Sequence, residues 1–249
     1  EGNSFTENTS QTLHGNATAS NGKFADQAHQ ELFGDSQTDG NSFAGDASQK
    51  LNDYSAARRG TFADHARQAL HDFGLADGNS FADNTSQTLY DNATARNGKF
   101  TESASQVLYG SSTSDGESFT GNASQTLYLD ASALNGTFAD HARQELHDAS
   151  QSDGDSFKDN ASQALYLSAT ALNGIFSDYA RQELHGASQA SGNRFSGDAS
   201  QTVYDEAAAL NGVFTDNARQ ELHDNGQSDG NSFTGNASQT LYDAATAQN

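Results

Sequence analysis

Residues 138–156, FADHARQELHDASQSDGDS, run directly into residues 157–175, FKDNASQALYLSATALNGI. Both segments open on Phe and place Ala four, Gln six and Leu eight residues later. The rest of the chain repeats this pair. Phe recurs every 19 residues from Phe5 to Phe233, thirteen times, without insertion or deletion. Each Phe is taken below as position 0 of its unit. Position 6 is Gln in all thirteen units, position 8 is Leu except at Val203, and position 4 is Ala except at Thr9 and Thr85. Positions 12 and 14 hold only Ala, Ser, Gly or Thr, and position 16 is Asn or Gly apart from Arg59. Self-similarity at a fixed short period marks a stacked repeat protein, in which each unit buries its apolar face only against its neighbours.

Two architectures compete. Phe-x3-Ala-x3-Leu fits one face of a helix, and two units make a plausible helical hairpin of 38 residues, so an α-solenoid is the alternative. A helical stripe through positions 0, 4 and 8 should continue through 11 and 15. Those positions vary freely, as Asn16, Asp35, Tyr54 and Phe73 show for one and Asp39, Arg96 and Leu134 for the other. Position 6, roughly opposite Phe on a helix, never changes. The restricted set has period two, the period of side chains facing one side of a strand. The expected fold is therefore all-β: a β-solenoid of thirteen 19-residue two-strand rungs spanning 1–249 as one array without capping segments. The first strand is expected from about position −1 to 8 and the second from 12 to 16. Bends fall between them, and Asn-Gly or Asp-Gly corners close each rung because those residues tolerate positive φ.

Stacking makes columns of identical side chains. Phe5, Phe24, Phe43 and Phe62 begin one column, and Leu13, Leu32, Leu51 and Leu70 begin another. The column of Gln11, Gln30, Gln49 and Gln68 must bond amide to amide, since an unpaired buried amide is costly. The outward positions alternate with a two-rung period. Position 5 is Arg at Arg67, Arg143, Arg181 and Arg219, and position 7 is Glu at Glu31, Glu145, Glu183 and Glu221. Alternation keeps like charges from stacking directly on one another.

Composition excludes several functions. Apolar residues are only 33% of 249, and the net charge is −21 from 33 acidic and 12 basic residues. A polyanion repels phosphate backbones, so no nucleic-acid partner is expected. No apolar run reaches membrane-spanning length, so no membrane insertion is expected. Cys is absent, which removes disulfides and thiol chemistry. His71, His147, His185 and His223 recur on alternate rungs, about 9.6 Å apart by strand spacing, too far to share a metal. The Asp-Gly corners lack the dense carboxylate spacing of a calcium loop. No Ser/His/Asp grouping stands out, so no enzyme, metal or cofactor is expected. A mixed charged surface also fits ice poorly. Asn-x-Ser/Thr sequons occur at Asn8, Asn16, Asn84, Asn92, Asn122, Asn135, Asn160 and Asn236.

Tandem short β-rungs with an inward Gln ladder resemble curlin-type functional amyloid subunits. Ser4 and Gln11 lie near the spacing of that family's pattern, while Gln37, Gln151, Gln189 and Gln227 fall at outward position 13. The resemblance implies end-to-end self-assembly. Ser10 and Thr12 at one end and Ser238 and Thr240 at the other would meet without stacking like charges. The expectation is an extracellular or cell-surface fibre or biofilm-matrix subunit whose partner is itself, together with a surface nucleator or matrix components. The competing expectation is a monomeric adhesion or binding solenoid.

Overall fold

The computed structural model describes residues 2–248. It is all-β: three parallel sheets form a β-solenoid of about 13 turns with a 19-residue repeat. The chain divides into two compact units, Glu1–Gln125 and Thr126–Asn249, built on the same rung.

A rung contains three short strands rather than two. In the first rung they are Ser4–Phe5, Ser10–Leu13 and Thr18–Ser20. Each pairs in parallel with its counterpart one rung on, as in Phe5 with Phe24, Gln11 with Gln30 and Ala19 with Thr38. The expected long first strand is broken at positions 1–4 by a corner. There the position 2 residue takes positive φ in every rung, from Glu7 (59°) and Asp26 (60°) to Gly235 (71°). The turn closes with a backbone bond from position 4 to position 1, such as Ala28 N to Ala25 O at 3.1 Å. Position 10 makes the second corner the same way, and position 16 makes the third. Position 16 is therefore a corner and not an inward strand position. Asn21, Asn97 and Arg59 there adopt φ of 53°, 54° and 51° and point to solvent. Gly, Asn and Asp tolerate this region best, which accounts for their density. Leu129 and Leu167 occupy it at φ of 62° and 60°, unfavourable for a bulky side chain, and are 54% and 58% exposed.

The core is a set of columns. Positions 0, 4, 6, 8, 12 and 14 face inward, as alternation requires. In the first unit the Phe rings from Phe5 to Phe119 stack with centroids 4.7–4.8 Å apart. In the second, Phe138 to Phe233 stack at 4.6–4.8 Å. Small residues at positions 4, 12 and 14 let the three sheets approach closely.

Candidate functional site: inner ladders and the outer face of the second sheet

The Gln column is a continuous one-way ladder within each unit. Each Nε2 donates to the Oε1 of the preceding rung, as in Gln30 to Gln11 (2.6 Å), Gln49 to Gln30 (2.8 Å) and Gln68 to Gln49 (2.6 Å). The second unit repeats this from Gln163 to Gln144 (2.6 Å) through Gln239 to Gln220 (2.7 Å). Phe24, Phe43 and Phe62 are buried, as are Leu13, Leu32, Leu51 and Leu70, while Phe5 and Gln11 are half-buried. Ser10, Thr12, Ser238 and Thr240 lie exposed on the outer face of the second sheet.

A second polar column was not read from the sequence. Position 17 alternates Gly with a buried polar residue: Gly22 then Asn41, Gly60 then Asn79, Gly174 then Asn193, Gly212 then Asn231. Asn41 Oδ1 accepts from the Gly22 amide of the preceding rung (2.8 Å), and its Nδ2 donates across the core to Gln30 (3.1 Å). Gly is required beneath it. A Cβ at Gly174 would come within 2.9 Å of the Phe176 ring and 3.2 Å of Asn193 Oδ1. The alternation of Gly with Asn, Asp or Glu at this position was the signal that could have revealed the column.

Two carboxylates take the Asn place, one in each unit. Asp155 accepts from the Gly136 amide (2.7 Å) and from Gln144 Nε2 (2.6 Å). Burial pushes its carboxyl up to about 6, against the pull of those two bonds. Glu117 is one methylene longer, and its carboxylate reaches closer to Gly98 than the Asn or Asp oxygen does to the Gly of the other rungs. Neither of its buried oxygens has a hydrogen bond of normal geometry, and burial pushes its carboxyl up to about 8. The protonated acid is the form this slot favours at neutral pH.

The outward face of the second sheet differs between the units. In Thr126–Asn249 it is regular. Arg143, Ser162, Arg181, Ser200, Arg219 and Ser238 succeed one another in register at position 5. Glu145, Ala164, Glu183, Thr202, Glu221 and Thr240 do so at position 7. At position 9 Tyr128, His147, Tyr166, His185, Tyr204, His223 and Tyr242 stack ring on ring at 4.5–5.2 Å. Each Glu faces the His of its own rung, with Nε2–Oε2 distances of 3.6, 3.7 and 3.7 Å. Partial burial, then the flanking Glu carboxylates, raise the Tyr166 and Tyr204 hydroxyls above their ordinary range. Because Glu turns to His, Arg143, Arg181 and Arg219 form no ion pair and no side-chain hydrogen bond among the described residues.

In Glu1–Gln125 the same face is irregular. Position 5 holds His29 and Arg67 among serines, and Lys50 pairs with Glu31 at 3.5 Å. The stack there comprises His14 with Phe33, and His71 with Tyr90 and Tyr109. A depression on the third sheet of this unit contains Arg58 and Arg59, but Arg59 binds Asp39 and holds that carboxyl below its usual range. Among the described residues no group of three or more His, Asp or Glu could hold a metal ion, and no helix is long and apolar enough to cross a membrane.

No protein-family model matches the chain, and a search of curated proteins found no match. Among solved structures, the chain is similar over 100% of its length to 98% of a TibC-catalysed hyper-glycosylated TibA fragment, with a TM-score of 0.72 and 14% identity. At that identity the likeness is one of fold, and the shared fold is the β-solenoid.

Proposed function

We propose that the chain is a binding solenoid displayed at a cell surface, with no catalytic role. One observation carries the reading: the columns inside are nearly invariant, whereas the outer face of the second sheet carries an ordered row of charged and aromatic groups that packing does not require. The fold likeness to the fragment of TibA, a bacterial adhesin, supports the same reading and the extracellular or cell-surface location. A rigid ladder scaffold presenting side chains at a fixed pitch suits contact with an extended surface, because little order is lost on binding. The TibA fragment is glycosylated. In this chain Asn8, Asn84, Asn122, Asn160 and Asn236 are exposed at the first corner and have room for a glycan. The test is saturable binding of the purified chain to immobilised cells and matrix components. A variant with Ser or Thr at every outward position 5, 7 and 9, ladders intact, is expected to lose it. Absence of saturable binding, or binding indifferent to that variant, would remove the reading.

A second reading, a self-assembling fibre subunit of the curlin-like kind, is favoured by the in-register parallel pairing of identical side chains. A further copy could extend such pairing. Electron microscopy of filaments with a meridional repeat of about 4.7–4.8 Å is its expected result. A monodisperse monomer at all concentrations excludes it.

A further inference from the structure

The reading of a surface binding module leaves open what is bound, and the three unpaired guanidinia narrow it. They stand in a chain of net charge −21, where carboxylates are abundant. Arg181 and Arg219 are separated by Ser200, and Glu183 and Glu221 by Thr202, so short side chains lie between long ones. The result is an open depression of about 420 Å³ walled by Arg181, Glu183, Arg219 and Glu221 and floored by Ser200 and Thr202. Tyr179 stands at its edge, 59% exposed, and Asp198 lies at its rim. Unlike the stacked rings at position 9, Tyr179 makes no ring contact among the described residues. The Arg143–Ser162–Arg181 stretch repeats the alternation one period earlier.

We propose that this face of the second unit binds a linear polysaccharide bearing sparse carboxylates, laid along the rung axis. A guanidinium offers a planar fork of donors that matches a carboxylate, and these forks are free. They recur every two rungs, roughly 9.6 Å at the strand spacing. Glu183, Glu221 and Asp198 lie within the same depression and reject a dense polyanion, yet accept O–H donors from a sugar. Ser200 and Thr202 donate and accept. Tyr179 offers an apolar ring to the C–H face of a pyranose. A nucleic acid, with one charge per roughly 3.4 Å of each strand, would press several phosphates against each Glu. An acidic peptide has the same excess of charge and lacks the hydroxyls. Only a polymer that is both hydroxyl-rich and sparsely anionic satisfies the whole set.

Titration of the intact chain by calorimetry or interferometry against four probes tests this: hyaluronan, its carboxyl-reduced form, poly-L-glutamate and duplex DNA. Hyaluronan is expected to bind, and carboxyl reduction to weaken it at least tenfold. Arg181→Ala and Arg219→Ala should each weaken hyaluronan about tenfold, the effect of losing one charge-assisted contact. Tyr179→Ala should weaken both polysaccharides alike. Arg67→Ala, in the other unit, should change nothing. These side chains are exposed and unpaired, so the variants keep the fold, as an unchanged far-UV spectrum would verify. Equal binding of the carboxyl-reduced polymer, tighter binding of DNA or polyglutamate, or indifference to Arg181→Ala and Arg219→Ala overturns the proposal. If no polysaccharide binds while saturable binding to cells persists and depends on the outward positions, this inference fails and the surface-binding reading stands.

Discussion

The two units have the same interior and different exteriors. From Gln11 to Gln125, and again from Gln144 to Gln239, the amide ladder keeps one residue type and one bond direction. On the outer face of the second sheet, Arg, Glu and His recur on every second rung in 126–249, whereas in 1–125 the same positions carry a mixture. An inward side chain must match the rungs above and below it, so one deviation disturbs two neighbours. An outward side chain meets mostly water, and packing leaves it free. Order at outward positions therefore needs a cause other than packing, and that is the ground for placing the binding face in the second unit. Glu117 and Asp155 add a contrast within the core. Both replace Asn at position 17, yet only Asp155 sits in the slot with two bonds, while the longer Glu117 has none of normal geometry.

The largest expected effect tests the equivalence of the interiors. Phe81→Ala and Phe176→Ala should each destabilise their own unit by about 3–5 kcal/mol, since each empties a fully buried ring site between two stacked rings. Hydrogen exchange resolved by segment reads the loss locally. A cost below about 1 kcal/mol in one unit only would break the equivalence.

Next come the two buried acids, through pH. Glu117 binds its proton more tightly when folded, with its carboxyl at about 8 against 4.5 for the free group. Between those values the folded chain holds a proton that the unfolded chain has lost. Stability from this group is therefore full below pH 4.5 and falls as pH rises to about 8, at about 1.4 kcal/mol per pH unit. For Asp155 the same loss runs only from 3.8 to about 6. Melting curves between pH 6 and 8 should thus fall for the native chain and for Asp155→Asn, and flatten for Glu117→Gln. If Glu117→Gln leaves the slope unchanged, the contrast between the two slots is gone.

Gln68→Ala and Gln182→Ala should each cost about 1–3 kcal/mol, equally in the two units, because each leaves neighbouring amides short of a partner. Urea unfolding measures this, and a neutral result at either site would remove the ladder's energetic role. The smallest effect belongs to the exterior. Arg181→Ala should change stability by less than about 0.5 kcal/mol, as expected of an exposed side chain with no partner. A larger loss would show that the outer row stabilises the fold, and would weaken the case that it is there to bind.

Much of the interior was legible in the sequence, because inward positions are restricted and the restriction has period two. The third strand per rung was not. Side chains at positions 4, 6 and 8 face inward whether positions 1–4 form a strand or a corner, so the pattern could not show where the strand stops. Glu7, Arg59, Leu129 and Leu167 also blurred the corners, since none of them is a typical residue for positive φ. The Asn41 column was hidden because the Gly beneath each Asn resembles ordinary turn composition, and because Glu117 and Asp155 break its identity.

The sequence by itself determined the period, the β class and the inward positions 0, 4, 6, 8, 12 and 14, though not position 17, because a strict repeat forces each residue against its own copy one rung away. Tertiary structure decided what depends on directions in space. It set the three corners and the one-way sense of the Gln bonds. It placed Asn above the Gly amide of the preceding rung and across from Gln. It also turned Glu183 toward His185 rather than Arg181. That last choice leaves the guanidinium row free, and spacing along a chain cannot reveal it, because Arg and His lie equally close to Glu in sequence.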